Sequence, residues 1–125
     1  DAVRSRGGRT GLIVSHHDPA GTPSAKTLAG RLKACRALGA DVVKIVTFAN
    51  RTEDNLRILE LLPLARQMGQ DTIAFCMGEK GRLSRVAAPL LGSRWSYASL
   101  EKGTASAPGQ LTVGEMRTIL GMLQS

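Results

Sequence analysis

DVVKIVTFA, residues 41–49, is an apolar run rich in β-branched residues, and a single lysine, Lys44, interrupts it. A short run of this composition predicts a β-strand. Side chains alternate along a strand, so one face carries Val42, Lys44, Val46 and Phe48, and the other carries Val43, Ile45 and Thr47. Neither face is a polar one, so the position of the ammonium group requires an explanation.

The strand belongs to the second of four predicted strand–helix units. The predicted strands are residues 11–15 (GLIVS), 41–49, 72–77 (TIAFCM) and 94–99 (RWSYAS). The predicted helices run from about Thr22 to Gly39, from about Thr52 toward Gly69, around residues 83–90 and from Thr112 onward. This alternation indicates right-handed βαβ connections and a parallel sheet.

The sequence therefore predicts an α/β fold. Four successive βα units are half of a (β/α)8 barrel, whose usual length is about 250 residues. A small doubly wound sheet is the competing fold, although no GxGxxG motif follows the first strand and a dinucleotide site is not supported. We interpret residues 1–10 as a basic N-terminal segment or linker and residues 11–125 as the half-barrel domain.

Capping and breaking residues predict the helix ends. Thr22 followed by Pro23 predicts the start of the first helix. Pro63 predicts a kink or a division of the second helix, and TVGE, residues 112–115, has the spacing of a capping box. The apolar positions are Leu28, Leu32 and Cys35 in the first helix, Leu56, Leu59 and Leu62 in the second, Leu83, Val86, Ala87 and Leu90 in the third, and Met116, Ile119, Leu120 and Leu123 in the fourth.

The charge and composition narrow the class of partner. The formal net charge is +7, but the 17 Lys and Arg residues are scattered, and aromatic residues make up only 3% of the chain. Nucleic-acid-binding proteins of this size usually show a basic stripe or an aromatic stacking surface. We therefore expect no nucleic-acid partner and interpret the charge as an attraction for a small acidic substrate.

The sequence also predicts a cytoplasmic protein without a membrane span. No apolar run reaches the roughly 18 residues that a span requires, and the basic N-terminal segment lacks the apolar part of a signal peptide. Cys35 and Cys76 lie far apart and form no CxxC motif, so they predict two reduced, buried thiols and neither a disulfide nor a zinc site.

Lys44 has two interpretations. It is either an edge-strand lysine whose amine reaches solvent or a buried amine. Burial disfavours the charged ammonium, and a neutral amine can condense with a ketone to an imine, which acidifies the adjacent carbon. His16 and His17, at the end of the first strand, offer a base, but only one of them can share a face with the lysine. The alternative is a pair of exposed loop histidines.

Four motifs resemble, in this order, the C-terminal half of type I 3-dehydroquinate dehydratase. They are SHHD (15–18), GADVVKIV (39–46), CMGEKGRLSR (76–85) and ASAPGQLTV (105–113), and they span nearly the whole chain. The resemblance implies a (β/α)8 barrel and a hydro-lyase that uses a lysine Schiff base and a histidine. The implied reaction converts 3-dehydroquinate to 3-dehydroshikimate with loss of water, in the shikimate pathway of aromatic amino acid biosynthesis. No metal or organic cofactor is implied.

The resemblance also implies roles for individual residues. Lys44 matches the imine-forming lysine, and His17 matches the general acid/base, which leaves His16 as a structural residue. The substrate-binding positions are matched by Arg85 for the substrate carboxylate, by Met77 in the pocket beside the lysine, and by Ser106 and Gln110 in the loop that helps to close the site.

The resemblance leaves one half of the barrel to be supplied. In the family, the first half provides a glutamate that orients the histidine and arginines that grip the substrate, and nothing before Gly11 matches them. We expect the rest of the barrel on a longer parent chain, and we consider a homodimer of this chain next. A third arrangement is an inactive half-barrel that binds or senses a shikimate-pathway metabolite without turnover.

Overall fold

A computed structural model describes residues 11–94 and 109–124 of the chain. The strands are β1 (Ile13–His17), β2 (Val42–Phe48) and β3 (Asp71–Met77), in the spatial order β1-β2-β3. The helices are α1 (Ala25–Ala37), α2 (Asp54–Gln67), α3 (Arg82–Leu90) and α4 (Val113–Gln124), and one turn of 3₁₀ helix, Glu79–Gly81, precedes α3. Both strand pairs are parallel, which confirms the predicted α/β fold. The predicted segment 1–10 and, apart from Arg94, the predicted fourth strand lie outside the described residues.

The two faces of the sheet have different neighbours. The helix face packs against α1 and α2, and its core includes Leu28, Leu32, Val43, Ile45, Ile58, Leu61, Ala74 and Cys76. A second, smaller cluster lies on the opposite face and comprises Val42, Val46, Ile73 and Phe75, with Met77 packed against it. We call this opposite face the lysine face, because Lys44 belongs to it. Strand pairing adds Ile13, Ser15 and His17 of β1 to the lysine face.

The first helix begins later than predicted. Ser24 is its N-cap residue, and the Ser24 hydroxyl accepts a hydrogen bond of 3.2 Å from the Thr27 amide. Thr22 was the predicted cap, and this prediction was wrong because its hydroxyl has another role. Thr22 Oγ1 lies 2.9 Å from the carbonyl oxygen of Phe48, so it joins the loop after β1 to the end of β2.

Pro63 does not divide the second helix, which continues from Asp54 to Gln67. A proline removes one backbone donor, but the helix is held on both sides of it by buried residues. The predicted stripe was wrong for Leu56, which is 58% exposed, and correct for Leu62. The buried apolar positions are Ile58, Leu61, Leu62 and Ala65, which have the i, i+3, i+4, i+7 spacing of one helix face.

The third helix turns polar residues toward the core. Its buried residues are Ser84, Arg85 and Ala88, whereas Leu83 and Leu90 are exposed, contrary to their predicted place on an apolar stripe. The reason is hydrogen bonding, because Ser84 Oγ accepts a hydrogen bond of 2.7 Å from the Cys76 amide of β3.

The capping box of the fourth helix is confirmed. The Thr112 amide donates to Glu115 Oε1, and the Glu115 amide donates to Thr112 Oγ1; both donor–acceptor distances are 3.0 Å. Burial decreases along this helix: Met116 is buried, but Leu123 is 57% exposed, so the predicted stripe does not reach the last turn. None of the helices in residues 11–94 and 109–124 combines the length and hydrophobicity needed to span a membrane.

Candidate functional site

Lys44 lies in the middle of the central strand. It pairs in register with Ser15 of β1 and Ile73 of β3, and its side chain is half-buried. The interpretation of Lys44 as an edge-strand lysine was therefore wrong, because β2 has a parallel neighbour on each side. Lys44 therefore lies in the interior of a sheet face, and parallel α/β proteins place their chemistry at the carboxyl ends of such strands.

His17 ends β1 on the same face as Lys44. It is in register with Val46, two residues beyond the lysine, whereas His16 pairs with Ile45 on the helix face. The pKa of the His17 imidazole is lowered from its ordinary value of 6.5, first by partial desolvation, then by the positive charge of Lys44, and then by His16. A lowered pKa keeps the imidazole neutral at neutral pH, and a neutral imidazole can accept a proton.

Arg85 lies in the first turn of α3, where it is buried and only 1% exposed. Its guanidinium carbon Cζ lies 4.5 Å from the centroid of the Phe75 ring, which belongs to the lysine face. Burial lowers the pKa of the guanidinium, but arginine keeps its proton in proteins. The stacked guanidinium therefore brings a planar cation to this face of the sheet.

Met77 ends β3 and packs against the Val42–Val46–Ile73–Phe75 cluster, so it lies on the lysine face where the sequence predicted a pocket wall. Its partner in register is Phe48, the last residue of β2. The two side chains therefore stand at the carboxyl ends of neighbouring strands.

The segment that carries Gln110 is seated on the turn after β3. Gly109 has a φ of 80°, and a Cβ at this position would overlap the backbone carbonyl of Gly78. Such a close approach requires glycine. It brings the half-buried Gln110 next to the residues that follow Met77. Ser106, the other predicted loop residue, lies outside the described residues.

A buried carboxylate ties together the loops that follow β1 and β2. Asp54 accepts hydrogen bonds from the Asn50 amide (2.9 Å), the Arg51 amide (3.0 Å) and Arg57 Nη2 (2.5 Å). The same guanidinium donates to the carbonyl oxygens of Thr22 and Pro23. Burial by itself raises the pKa of the Asp54 carboxyl, but the hydrogen bonds from Arg51, Arg57 and Asn50 outweigh burial and lower it.

The sequence reasoning missed the structural importance of the first turn of α2. The sequence pattern gave no role in the site to Asp54 or Asn55. A signal was present in the helical spacing, because Asn55 precedes Ile58 and Leu62 by three and seven residues and so shares their buried face. A polar residue on such a face needs hydrogen-bond partners.

Comparisons with known proteins identify the family of the chain. A sequence model of the family described as type I 3-dehydroquinase matches residues 1–125. The 3-dehydroquinate dehydratase of Syntrophobacter fumaroxidans is 53% identical over 110 residues, which are 87% of this chain and 47% of that protein. The 3-dehydroquinate dehydratase of Thermococcus gammatolerans is 48% identical over 115 residues, which are 92% of this chain and 51% of that protein. The chain thus spans about half the length of the curated relatives it matches.

Solved structures show the same relationship. The 3-dehydroquinate dehydratase of Geobacillus kaustophilus superimposes with a TM-score of 0.84 at 34% identity, over 92% of this chain and 44% of that one. A type I 3-dehydroquinate dehydratase of Clostridium difficile, solved with covalently modified comenic acid, gives a TM-score of 0.78 at 28% identity, over 91% and 44% of the two chains. The described strand–helix units correspond to about half of such a (β/α)8 barrel. The chain belongs to the type I 3-dehydroquinase family.

Proposed function

We propose that this member of the type I 3-dehydroquinase family supplies the imine-forming half of a 3-dehydroquinate dehydratase, which converts 3-dehydroquinate to 3-dehydroshikimate in the shikimate pathway. The observation that carries the proposal is the placement of Lys44 and His17. They share the lysine face, and the charge of the lysine lowers the pKa of the imidazole. Dehydration through an imine requires a lysine that forms the imine and a neutral base that moves the proton.

The proposed reaction begins at the Lys44 amine. Nζ attacks the ketone carbon of the substrate, and loss of water gives a protonated imine. His17 then removes a proton from the adjacent carbon, and the electron pair of the broken C–H bond moves into the iminium to form an enamine. The enamine expels the hydroxyl group, which leaves as water with the proton that His17 returns. Hydrolysis of the product imine frees the lysine.

The substrate carboxylate is assigned to Arg85, because a planar guanidinium can donate two parallel hydrogen bonds to a carboxylate. The stacking of Arg85 on Phe75 supports this assignment. Met77 is assigned to the pocket wall, and Gln110 and Ser106 to the loop that closes over the substrate. The net charge of +7 suits an anionic substrate.

The second half of the active site is assigned to a completing half-barrel. Ile13 on the lysine face is 47% exposed, and within the described part of the chain β1 pairs only with β2, so β1 offers an open edge and an uncovered apolar residue. We propose that residues 11–125 form one half of the barrel, that residues 1–10 form the connection to it, and that the other half is on the same polypeptide. A second copy of this chain is the next candidate partner. A cytoplasmic location is part of the proposal, and the two free, buried thiols support it.

The first prediction concerns trapping of the imine. We expect sodium borohydride, added with 3-dehydroquinate, to fix the substrate on Lys44 as a stable secondary amine that intact-mass spectrometry detects. The reduced substrate imine adds the mass of the substrate less one oxygen, and the reduced product imine adds one water less. Appearance of the second mass therefore reports dehydration, whereas the first alone indicates an inactive half-barrel that only binds.

Two variants complete the trapping test. Lys44→Ala should give no adduct, whereas Lys33→Ala, which removes an exposed lysine of α1, should behave as the parent chain. The chain should be assayed alone and joined to the first half of the Syntrophobacter fumaroxidans dehydratase, with the oligomeric state measured on each sample. An undiminished adduct in Lys44→Ala, or no adduct in either form of the parent chain, would contradict the proposed function.

A further inference from the structure

The side-chain amide of Asn55 is fully buried in the first turn of α2. Its nitrogen Nδ2 donates hydrogen bonds to the carbonyl oxygens of Thr52 (2.8 Å) and Lys80 (2.6 Å). Its oxygen Oδ1 accepts a hydrogen bond of 3.2 Å from the Ser84 amide. Both ends of the amide therefore have partners, and two of the three partners belong to the segment between β3 and the second turn of α3.

Ser84 continues the contact toward the strand. Its hydroxyl donates a hydrogen bond to the carbonyl oxygen of Gly81 and accepts one from the Cys76 amide; both distances are 2.7 Å. Cys76 is the residue before Met77 at the end of β3. The Asn55 amide and the Ser84 hydroxyl thus join three elements: the start of α2, the end of β3 and the start of α3. We call this pair the amide clamp.

The amide clamp holds the residue next to Arg85. Asn55 fixes the backbone amide of Ser84, and successive residues of a helix are rotated by a set angle, so the position of the Ser84 amide determines where the Arg85 side chain leaves α3. Arg85 reaches the Phe75 ring from this position, with Cζ 4.5 Å from the ring centroid. A helix start that moved by about 1 Å would move the guanidinium with it, and errors of this size can cost about 100-fold in a reaction.

We infer that Asn55 is a positioning residue for the substrate carboxylate and that it acts through Ser84 and Arg85 without touching the substrate. The inference rests on the proposed function, because it takes Arg85 as the carboxylate partner. A purely structural amide would stabilise the fold equally for every ligand. A positioning amide affects only ligands that carry the negative charge, and this difference can be measured.

The test compares two ketones that differ in charge. 3-Dehydroquinate and its methyl ester both offer the ketone to Lys44, but only the acid offers a carboxylate to Arg85. For each ligand, the concentration that gives half-maximal borohydride trapping is measured by intact mass, with the full chain joined to the first half of the Syntrophobacter fumaroxidans dehydratase. The parent protein should prefer the acid, and Arg85→Gln defines complete loss of that preference.

Asn55→Ala should raise the half-maximal concentration for the acid by about tenfold or more and leave the value for the ester unchanged, since hydrogen bonds to charged groups are among the stronger ones in proteins. Gln67→Ala is the matched control, because it removes an exposed amide from the other end of the same helix. Ser84→Ala provides a second route, since it releases the Cys76 amide and the Gly81 carbonyl from the amide clamp and removes only one oxygen atom. It should reduce the preference for the acid in the same direction.

Equal losses for the acid and the ester in Asn55→Ala would show a structural role and overturn the inference. If Asn55→Ala does not fold, as judged by circular dichroism, an unchanged preference in Ser84→Ala would overturn it. A parent protein that traps neither ketone contradicts the proposed function and the inference together, whereas a parent that traps both while Asn55→Ala keeps its preference for the acid contradicts the inference alone.

Discussion

The two faces of β2 differ in how completely the rest of the chain covers them. On the helix face, Val43, Ile45 and Thr47 are each fully buried beneath α1 and α2. On the lysine face, Val42 and Val46 are also buried, but Lys44 and Phe48 are only half-buried, and Ile13 of the neighbouring strand is 47% exposed. The helix face of β2 is therefore covered along its length, whereas the lysine face is covered only in part. The helix face stabilises the fold, and the lysine face carries the groups that perform the proposed chemistry.

The largest expected difference between the faces is in stability. Ile58→Ala on the helix face should lower the free energy of unfolding by about 2–5 kcal/mol, because it leaves a cavity among fully buried side chains. Ile13→Ala on the lysine face should cost less than about 1.5 kcal/mol, because that side chain is already half in solvent. Urea denaturation of the two variants measures both values. Equal losses would mean that the lysine face is covered in solution, for example by a second copy of the chain.

A smaller effect is expected where the helix face meets the loops. Asp54→Asn should cost about 1–3 kcal/mol at neutral pH, because it weakens the hydrogen bonds of a buried carboxylate. The pKa of this carboxyl is lowered by folding, so its contribution is complete above the unfolded-state pKa of about 3.8 and is lost as the pH falls through the folded-state pKa. The difference between parent and variant should therefore shrink in acid.

Asp71→Asn is the matched control for this pH dependence. Asp71 also pairs with an arginine, Arg94, but both side chains are more than half exposed. Exposed pairs contribute about 0–1 kcal/mol, so this variant should differ little from the parent chain at any pH. A larger pH-dependent loss in Asp71→Asn than in Asp54→Asn would contradict the assignment of acid sensitivity to the buried carboxylate.

The smallest expected effect is a change in the pKa of His17 on the lysine face. In Lys44→Met, the pKa of His17 should rise toward its ordinary value, because one of the positive charges that lowers it is gone. The rise should be partial, since desolvation is the larger cause and remains. Histidine titration followed by NMR gives the value directly. An unchanged pKa would show that the amine and the imidazole do not share an environment.

The features that were predicted correctly depend only on residues that are close together in the sequence. Strand alternation correctly predicted that only one of His16 and His17 shares a face with Lys44, since the alternation is a property of the extended backbone, and strand pairing shows that this residue is His17. Thr112 and Glu115 were correctly assigned to a capping box for the same reason, because that motif closes within one turn.

The predictions that were wrong involve partners distant in the chain. Thr22 has the composition of a helix cap, but its hydroxyl bonds to the end of β2. Leu56 has helical spacing but lies on the exposed side of α2. Asn55 was missed because its partners, Lys80 and Ser84, are about 25 to 30 residues away. Helical spacing indicates that Asn55 is buried, but a local pattern does not identify partners that are distant in the chain.

Because β2 is the central strand, the backbone around the proposed nucleophile should open to solvent less often than the backbone around the proposed base. A strand with hydrogen-bonded neighbours on both sides opens to solvent only when much of the domain opens with it, whereas an edge strand can fray alone. Lys44 stands on the first kind of strand, and His17 ends β1, which pairs with one strand only among residues 11–94 and 109–124. Amide hydrogen exchange should accordingly be slow around residue 44 and faster around residue 17. Pairing of β1 with a further strand would then order the base more than the nucleophile, so assembly of the barrel would act mainly on proton transfer.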